Sequence, residues 1–576
     1  MCGIAGIFLK RENKILSNNF LSMKKLLSHR GPDASGIYST RYLKLVHTRL
    51  SIVDLETGNQ PIENDRFVLI ANGEIYNDLE LRKKYKKFAF KSKSDCESIL
   101  ATYCESGIDG LKLLRGMFAF ALYDKQKKIL ILGRDIFGIK PLYFCCTNDG
   151  ISFSSELEAL KKIQSSNLNI SKEKVLEILQ LQYSTGKHTV YSGIQRVRPG
   201  EFLVIEEGEI TKSFLTRFTK KSSPKRLSKK YIHNSVLESI SSHLRSDVPY
   251  CLFYSGGIDS TLIMYFIHLL KIEKISAYNI LFDNHDKDDN CDELKLISRD
   301  FKIEMNQILF TENDFWNMLP FAAKNIDDPI ADYAIIPTFK LAREASKNFK
   351  VALTGEGGDE LFGGYGRYRS WIRKLKKKYY KGAFDRVSNF KKDYWDFELG
   401  FFQNKYFDFS DLQKYQMFDF ENWLPNNLLV KLDRCLMTYG MEGRTPFLDK
   451  RLFDKLFFVH DNEKIFKGFG KYFVRKFLSS NIKNYNSFSR KQGFTVPISS
   501  WILNKSSVLE KILPRVEILK GFLSKEEIIS ICRNVQTKKA LIRPLWNMIF
   551  ISIWYHMNHN NIKESGNYFE ILSERN

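Results

Sequence analysis

The spacing of apolar residues changes near residue 210, and this change constrains the fold more than any other feature of the sequence. Before that point, apolar residues come in short runs rich in β-branched and aromatic side chains and are separated by turn signals. These predicted strands span 3–9, 44–53, 66–72, 117–123, 129–134, 142–146 and 201–206. We therefore expect a sheet-rich domain at 1–210.

The pattern after residue 210 is different. Residues 211–230 are basic and poor in apolar side chains, which is typical of a solvated linker. Predicted strands at 250–254, 275–282 and 351–354 then alternate with helical segments, and such alternation indicates a parallel sheet covered by helices. The sequence becomes mainly helical from about residue 401. We predict a second domain at 231–576, and 576 residues are indeed too many for one ordinary core.

The formal net charge of +23 is open to two interpretations. It could indicate a nucleic-acid or anionic-membrane partner, or it could reflect solvated basic surfaces. The lysines are dispersed and no nucleic-acid-binding motif accompanies them, so the second interpretation is favoured. The densest basic run, 373–378, lies beside aromatic residues and is weak evidence for polyanion binding. We expect neither a nucleic-acid nor a membrane partner.

The cysteines and apolar segments indicate a cellular compartment. Nine scattered cysteines without paired CxxC motifs do not form a disulfide framework, and a reducing cytoplasm is expected. The N-terminal segment lacks the features of a signal peptide. The apolar run 545–555 is far shorter than the roughly 20 residues that a bilayer requires, so a core helix is expected there.

Cys2 is a candidate nucleophile because of its position. Removal of Met1 would place a thiol and a free α-amine on one residue. An α-amine titrates near neutrality and can accept the thiol proton while the thiolate attacks an amide carbonyl. The position alone is ambiguous, because a cysteine here could also be a small strand residue.

Four further blocks make the pattern specific. They are 29–33 (HRGPD), 49–54 (RLSIVD), 72–77 (NGEIYN) and 94–95 (SD), which follow 2–6 (CGIAG). Together the five blocks resemble the class II glutamine amidotransferase domain. The resemblance implies an N-terminal-nucleophile hydrolase fold, an α+β domain of antiparallel sheets with helices.

The same resemblance assigns roles in glutamine hydrolysis. Attack on the glutamine amide creates an oxyanion, for which the Asn72 side chain and the Gly73 backbone N–H are the implied donors. Asn-Gly is also a common hairpin turn, and that reading stays open. Arg49 is implied to bind the α-carboxylate of glutamine and Asp95 its α-amine, with Glu74 assisting. The remaining implied glutamine-binding residues are Leu50, Ser51, Ile52 and Val53.

A glycine-rich loop, 255–260 (SGGIDS), follows a predicted strand and precedes a helix. Its glycines let backbone amides approach a phosphate at the helix N-terminus, so a nucleotide site is expected. The Walker motif GxxxxGK[ST] is missing from this loop, which argues against a kinase-like or GTPase-like site. An ordinary strand–helix turn is the alternative.

The loop is followed by Asp292-Glu293 and by 355–365 (GEGGDELFGGY), and this order resembles the PP-loop ATP pyrophosphatase domain of the glutamine-hydrolysing asparagine synthetases. The blocks 424–434, 442–449 and 490–494 extend the resemblance. It implies an α/β domain with a parallel sheet and a helical C-terminal part. The implied ATP-binding residues are Phe253, Ser255, Gly256, Gly257, Asp259, Ser260, Ile280, Thr354 and Gly355.

Charged residues of this domain receive further roles from the resemblance. Asp259 and Asp359 are the implied ligands of Mg²⁺, although Asp259 could instead cap a helix. Glu356 is implied to act in adenylation and amide formation, and a glutamate there favours aspartate as acceptor. Lys491 would stabilise phosphate charge during transfer. Two departures, Tyr254 before the loop and Ser489 in place of an arginine, put the phosphate contacts in doubt.

The expected reaction is therefore ATP + L-aspartate + L-glutamine + water to AMP + diphosphate + L-asparagine + L-glutamate, with ammonia passing inside a protein that could be a homodimer. One alternative is a related amidotransferase that amidates a sugar-acid or peptide carboxylate, because the fold does not fix the acceptor. The other is a basic nucleic-acid-binding protein built on an inactive amidotransferase fold.

Overall fold

The computed structural model describes residues 2–11, 14–164, 168–221, 227–272, 275–283, 296–372, 382–385, 387, 405–489, 496–560, 562 and 566–573. Among these described residues, twelve strands lie before residue 216. They are β1 Cys2–Leu9, β2 Ala34–Ser39, β3 Leu43–Arg49, β4 Ile62–Glu63, β5 Phe67–Ile75, β6 Gly116–Asp124, β7 Ile129–Arg134, β8 Tyr143–Thr147, β9 Gly150–Ser154, β10 Ile194–Arg196, β11 Glu201–Glu206 and β12 Glu209–Leu215.

These strands form two six-stranded sheets, ordered β10-β8-β9-β1-β3-β2 and β12-β11-β7-β6-β5-β4. Every ladder within them is antiparallel. Buried side chains from both sheets, such as Ile4, Leu45, Ile70 and Leu132, pack together between them. The predicted α+β class with antiparallel sheets is thus confirmed for this half.

Helices cover the outer faces of these sheets. They are α1 Lys14–Leu26, α2 Asp78–Lys84, α3 Glu97–Gly110, α4 Leu157–Ile163 and α5 Lys172–Leu181, with short 3₁₀ helices at Ser28–Arg30 and Leu111–Leu113. Strand β12 pairs with β11 as far as Leu215, so the sheet runs past residue 210, where the sequence predicted the linker to begin. The domain boundaries themselves stay a prediction.

The second half is built on a five-stranded sheet of order β15-β14-β13-β16-β17, and all its ladders are parallel. The strands are β13 Tyr250–Phe253, β14 Ser276–Phe282, β15 Glu304–Phe310, β16 Val351–Leu353 and β17 Glu442–Arg444. Three of them coincide with the predicted strands to within one residue at each end. The predicted parallel α/β sheet is confirmed.

Helices of the second half lie around this sheet and form the C-terminal bundle. They are α6 Lys229–His243, α7 Ile258–Leu269, α8 Glu312–Asn325, α9 Ile335–Ala345, α10 Gly358–Phe362, α11 Gly366–Ile372, α12 Asp411–Phe418, α13 Leu429–Met437, α14 Lys450–Leu456, α15 Asp461–Lys464, α16 Tyr472–Asn481, α17 Ile498–Ile512, α18 Glu517–Lys520, α19 Lys525–Asn534, α20 Ile542–Asn558 and α21 Tyr568–Ser573. A π-helix, Asp419–Leu428, joins α12 to α13, and 3₁₀ turns occupy Leu513–Arg515 and Lys539–Leu541.

The apolar run near the C-terminus is the buried helix α20, as expected for a core element. Trp546 and Trp554 of this helix are almost fully buried, and their indole N–H groups donate to the carbonyls of Ala331 and Ile326. Among the described residues, no helix combines the length and hydropathy needed to cross a membrane.

A buried network of charges joins the two halves. The Arg30 guanidinium donates to both carboxylate oxygens of Asp433, at 2.7 and 2.9 Å, and to Glu156 at 2.8 Å. Arg434 donates to Asp433 at 2.7 Å and to Asp327 at 2.8 Å. Arg30 is 0% exposed, so these partners compensate the cost of burying its charge. The network fixes the position of one domain relative to the other.

Candidate functional site

Cys2 begins strand β1 and lies between the two N-terminal sheets. Its backbone pairs with Arg49 on β3, while its backbone nitrogen donates to Asn72 Oδ1 on β5 of the facing sheet at 2.9 Å. The residue is 8% exposed, and burial raises the pKa of its thiol. Because a buried thiol does not ionise readily, formation of the thiolate here requires a nearby base. The nitrogen held by Asn72 is the atom that would become the α-amine.

Asn72 and Gly73, the predicted oxyanion donors, lie next to each other on β5. Asn72 is fully buried, and its Nδ2 has no hydrogen-bond partner among the described residues. Gly73 has a φ of +146°, and a Cβ there would lie 1.9 Å from the Met117 carbonyl oxygen, so only glycine fits. Both residues lie within the β5–β6 ladder, which continues to Ile75. The hairpin-turn reading of Asn-Gly is therefore wrong.

The segment after β3 folds back over Arg49. The Arg49 guanidinium donates to Asn59 Oδ1 at 2.9 Å and to the Asp54 carbonyl. β3 ends at Arg49 rather than at the predicted residue 53, because the chain turns here to wrap this side chain. Of the other predicted glutamine-binding residues, Ser51 donates a 2.7 Å hydrogen bond from its backbone N–H to Asp33 Oδ2.

The rest of this segment faces the second domain. Leu50 and Ile52 are 4% exposed and pack in one apolar cluster with Val351 and Met437, and the partly buried Val53 lies against it. The predicted glutamine-binding loop therefore rests on strand β16 and helix α13. The structure places it against the opposite half of the chain, which its sequence alone did not reveal.

Two buried carboxylates lie close to the predicted oxyanion donors. Asp95 Oδ2 accepts a 2.6 Å hydrogen bond from the Ile75 backbone N–H, and burial raises the pKa of Asp95 to about 6. Glu74 is 2% exposed, and burial raises its pKa well above the ordinary value. Cys96 lies beside them, with its Sγ 3.8 Å from both the Gly73 carbonyl and Asp95 Oδ2. Asp95, Glu74 and Cys96 thus form one buried cluster, and its carboxyl groups would attract an ammonium group when ionised.

The predicted nucleotide residues meet at the carboxyl ends of the parallel strands. Phe253 ends β13, Ile280 lies near the end of β14, and Thr354 and Gly355 follow β16. The strand order reverses between β13 and β16, and ligands of open parallel sheets bind in the crevice at such a switch point. The geometry therefore gathers residues from three separate motifs at one edge.

The glycine-rich loop is shaped by its own side chains. Gly256 has a φ of +72°, and the Gly257 N–H donates to Ser255 Oγ at 3.3 Å. Ser260 Oγ donates back to the Gly257 carbonyl at 3.0 Å. Tyr254, which stands where an aliphatic residue is usual, is 1% exposed. Its hydroxyl forms a 3.2 Å hydrogen bond with Thr261 Oγ1 of α7. The departure is accommodated inside the core.

Asp259 and Asp359 are brought together as the predicted metal ligands. A Cβ on Gly358 would lie 2.5 Å from Asp259 Oδ1, so the glycine lets the two motifs touch. The Lys471 ammonium pairs with Asp259 Oδ2 and lies 2.7 Å from Asp359 Oδ1. Asp259 Oδ1 is buried and accepts no hydrogen bond from the described residues. Two clustered carboxylates with an unpaired oxygen fit Mg²⁺, which uses one or two carboxylates and substrate phosphates.

Glu356 lies beside a second charged pair. Its Oε1 is 3.8 Å from Lys431 Nζ, which is 3.0 Å from Asp332 Oδ2. Burial raises the pKa of Glu356, and the Lys431 charge opposes this. The Glu356 side chain is 26% exposed, so it can meet a ligand that enters from solvent. Glu356 provides a carboxylate that can transfer protons, while Lys431 and Asp332 provide one positive and one negative charge beside it.

Lys491, and with it 490–494, lies outside the described residues, as do Asp292 and Glu293 and the basic run 373–378. Ser489, the other departure, is described, and its carbonyl accepts a 3.3 Å hydrogen bond from Arg475 Nη1. The predicted role of Lys491 therefore stays a prediction.

Comparison with protein families agrees with the two halves of the fold. Residues 1–218 match the family model described as a glutamine amidotransferase domain, and residues 232–556 match the model described as asparagine synthase. The chain belongs to the asparagine synthase family. The resemblance stated from the sequence motifs is confirmed.

Individual relatives span almost the whole chain. It is 30% identical to asparagine synthetase [glutamine-hydrolyzing] 1 of Bacillus subtilis, over 97% of this chain and 97% of the relative. It is 29% identical to asparagine synthetase B [glutamine-hydrolyzing] of Escherichia coli, over 87% of this chain and 83% of the relative. A solved glutamine phosphoribosylpyrophosphate amidotransferase of B. subtilis aligns at 17% identity over 44% of this chain and 60% of its own, with a TM-score of 0.27.

Several charged residues at the two sites were not singled out from the sequence. Lys471 follows Gly470 and is separated by 212 residues from Asp259, so no local pattern reveals their contact. Its φ of +54° is unusual for lysine but is visible only in three dimensions. Lys431 lies inside the family block 424–434, but the sequence motif assigned it no role. Only the fold shows that these lysines contact carboxylates that were predicted as site residues, Asp259, Asp359 and Glu356.

Proposed function

We propose that the chain is a glutamine-hydrolysing asparagine synthetase, which forms L-asparagine, L-glutamate, AMP and diphosphate from L-aspartate, L-glutamine, ATP and water. The observation that carries the proposal is that one chain contains both sites. A buried Cys2 lies next to the unpaired Asn72 amide in the first half, and the second half has a PP-loop site and belongs to the asparagine synthase family. Each half alone would leave the reaction open, because a fold can host many chemistries.

In the first half-reaction, Cys2 attacks the amide carbonyl of glutamine. Its α-amine, freed by removal of Met1 and anchored on Asn72 Oδ1, takes the thiol proton and then gives it to departing ammonia. The Asn72 amide and the Gly73 N–H stabilise the oxyanion. Arg49 binds the glutamine carboxylate and Asp95, with Glu74, binds its ammonium group. Water then releases glutamate from the thioester.

In the second half-reaction, the aspartate β-carboxylate attacks the α-phosphate of ATP, and diphosphate leaves. Backbone amides of the loop at Gly256 and Gly257 hold the phosphates at the start of α7. Asp259 and Asp359 would hold Mg²⁺, which would neutralise phosphate charge when bound. Lys471 and the predicted Lys491 add positive charge at the leaving group. Ammonia then attacks the acyl carbon of the β-aspartyl-adenylate, the bond to phosphate breaks to release AMP, and Glu356 accepts the proton that the nitrogen loses.

Aspartate is a suitable acceptor for the pocket beside Glu356. An α-amino acid carries one ammonium and one carboxylate besides the reacting group. Asp332 offers a negative charge to the ammonium group, and Lys431 offers a positive charge to the carboxylate. A cytoplasmic location and a homodimer remain predictions from the sequence.

The decisive test is a product assay on the purified protein with aspartate, glutamine, ATP and Mg²⁺. Asparagine, glutamate, AMP and diphosphate are expected in equal amounts. Cys2→Ala should abolish the use of glutamine but retain synthesis from ammonium, while Cys146→Ala, at an exposed cysteine, should retain both. The proposal is wrong if the unmodified protein forms no asparagine from either nitrogen source, or if it amidates a sugar acid instead.

A further inference from the structure

Arg444 touches both domains with one side chain. It ends strand β17, and its guanidinium is 1% exposed. Its Nη2 lies 2.5 Å from Glu74 Oε2 of the N-terminal domain, while its Nε donates to Glu442 at 2.6 Å. Its Nη1 donates to the His243 and Arg245 carbonyls at 2.7 and 2.6 Å, which hold the side chain in place. The guanidinium is therefore fixed between the predicted glutamine pocket and the parallel sheet.

The contact with Arg444 favours the ionised form of Glu74. Neither of its carboxylate oxygens accepts a hydrogen bond from a described residue. Burial raises the pKa of Glu74, and the positive charge of Arg444 is the largest opposing influence. A carboxylate attracts an ammonium group only while it is ionised. Any shift of Arg444 therefore changes how well the pocket attracts the ammonium group of glutamine.

The backbone of the same residue belongs to the nucleotide site. The Arg444 carbonyl accepts hydrogen bonds from the Thr354 N–H at 2.9 Å and from Thr354 Oγ1 at 3.3 Å. Thr354 directly follows β16, which pairs with β17 through Leu353 and Arg444. A nucleotide that rests on Thr354 and Gly355 thus restrains the main chain from which the Arg444 side chain projects.

We propose that Arg444 is a positioning residue that couples occupancy of the nucleotide site to the affinity for glutamine. The proposal rests on the proposed function, because it assigns ATP and glutamine to these two sites. Bound ATP holds Thr354 and the Arg444 backbone, which keeps the guanidinium on Glu74 and so favours the ionised form of that carboxyl. By thermodynamic reciprocity, glutamine then tightens ATP by the same factor. Hydrolysis of glutamine is thereby favoured when the second site is ready to use ammonia.

The test measures binding at equilibrium in the full chain carrying Cys2→Ala, so that glutamine is not consumed. The dissociation constant of glutamine is measured by calorimetry with and without ATP and Mg²⁺. In this background we expect ATP to tighten glutamine about fivefold, at the low end of ordinary coupling. Adding Arg444→Lys keeps a positive charge but removes the planar fork, and the ratio should then fall to within about twofold of one.

Arg115→Lys is the matched control. Arg115 is also a buried arginine that joins the domains, but its guanidinium pairs with Asp449, at 2.6 Å, rather than with Glu74. It should retain the fivefold ratio, and circular dichroism should show that both lysine variants fold. A ratio that survives Arg444→Lys, that Arg115→Lys abolishes equally, or that does not exist in the Cys2→Ala protein would overturn the proposal. Failure of the proposed function is distinguishable, because the unmodified protein would then form no asparagine from ammonium.

Discussion

At the scale of single residues, the Asn72 side chain serves two partners. Its Oδ1 accepts a hydrogen bond from the Cys2 backbone nitrogen, which orients the amide. Its buried Nδ2 has no hydrogen-bond partner among the described residues and can therefore donate to the oxyanion. We expect Asn72→Ala to lower kcat for glutamine hydrolysis by about 10²–10³-fold, the usual cost of one oxyanion donor. Glutamate release checks this, and synthesis from ammonium should change little. Equal loss of both activities would contradict the assignment.

Asp95 gives glutamine binding a dependence on pH. Its pKa is raised to about 6 by burial, so the carboxylate becomes neutral as the pH falls through 6 and no longer attracts the ammonium group. With Cys2→Ala, glutamine should bind about tenfold more weakly at pH 5 than at pH 7. Asp95→Asn should bind weakly at both pH values. A steep pH dependence that persists in Asp95→Asn would refute this explanation.

The raised pKa of Asp95 also determines how the stability of the folded protein changes with pH. Because the folded-state pKa of Asp95 exceeds that of the unfolded chain, the folded protein binds more protons between pH 4 and 6. Ionisation of Asp95 therefore costs stability at neutral pH, and this cost disappears as the pH falls through that window. The pocket retains a destabilising charge, as functional sites commonly do.

At the scale of elements, strand β5 carries a glycine, Gly73, that its close contact with β6 requires. A glycine with positive φ inside a ladder weakens the strand, yet a Cβ at Gly73 would collide with the backbone of Met117. We expect Gly73→Ala to lower the free energy of unfolding by more than about 2 kcal/mol, since strain and collision add. Urea denaturation with glutaminase assays would measure both effects.

Gly107→Ala separates the two causes of that loss. Gly107 also has a positive φ, +60°, but a Cβ there would meet nothing within 4 Å. We expect this variant to lose less stability than Gly73→Ala, about 1–3 kcal/mol, because strain acts alone. If the two variants were equally destabilised, the close approach of Met117 would not matter.

Elements were predictable from the sequence to the extent that they are apolar. The seven strands expected in the first 210 residues and three in the second half are present, because buried strands show themselves as apolar runs. Strands β2, β4, β9, β10 and β12 of the first half and β15 and β17 of the second were missed. β15 begins with three polar residues among its first four, and β17 consists of Glu442, Gly443 and Arg444. The placing of motif residues followed from family resemblance, whereas Lys471 and Arg444 required contacts between distant segments.

At the scale of the whole molecule, the buried charges between the domains determine how the halves dock. Removing the shared carboxylate with Asp433→Asn leaves Arg30 and Arg434 without their common partner. We expect a loss of about 3 kcal/mol in the free energy of unfolding, the usual cost of breaking a buried ion pair. Glutamate should also be released in excess of asparagine. Denaturation and product ratios would measure these effects.

Glu80→Gln provides the comparison for Asp433→Asn. Glu80 also pairs across the domains, with Arg451 at 2.5 Å, but both side chains are about half exposed, at 57% and 42%. Solvent screens such a pair, so we expect no more than about 0.5 kcal/mol. A similar loss in both variants would show that burial of the charges is not what matters.

Arg30 and Asp433 are separated by 403 residues, so their ion pair can form only late in synthesis of the chain. At about 5–20 residues per second, the ribosome needs roughly 20 to 80 s to reach Asp433 after making Arg30. During that time the nascent hydrolase lacks one of the two carboxylates that neutralise its buried arginine. Ribosome-bound chains stalled before and after residue 433 should differ in glutamine hydrolysis. A delay of this kind would spare the cell's glutamine until the half that consumes its nitrogen has been synthesised.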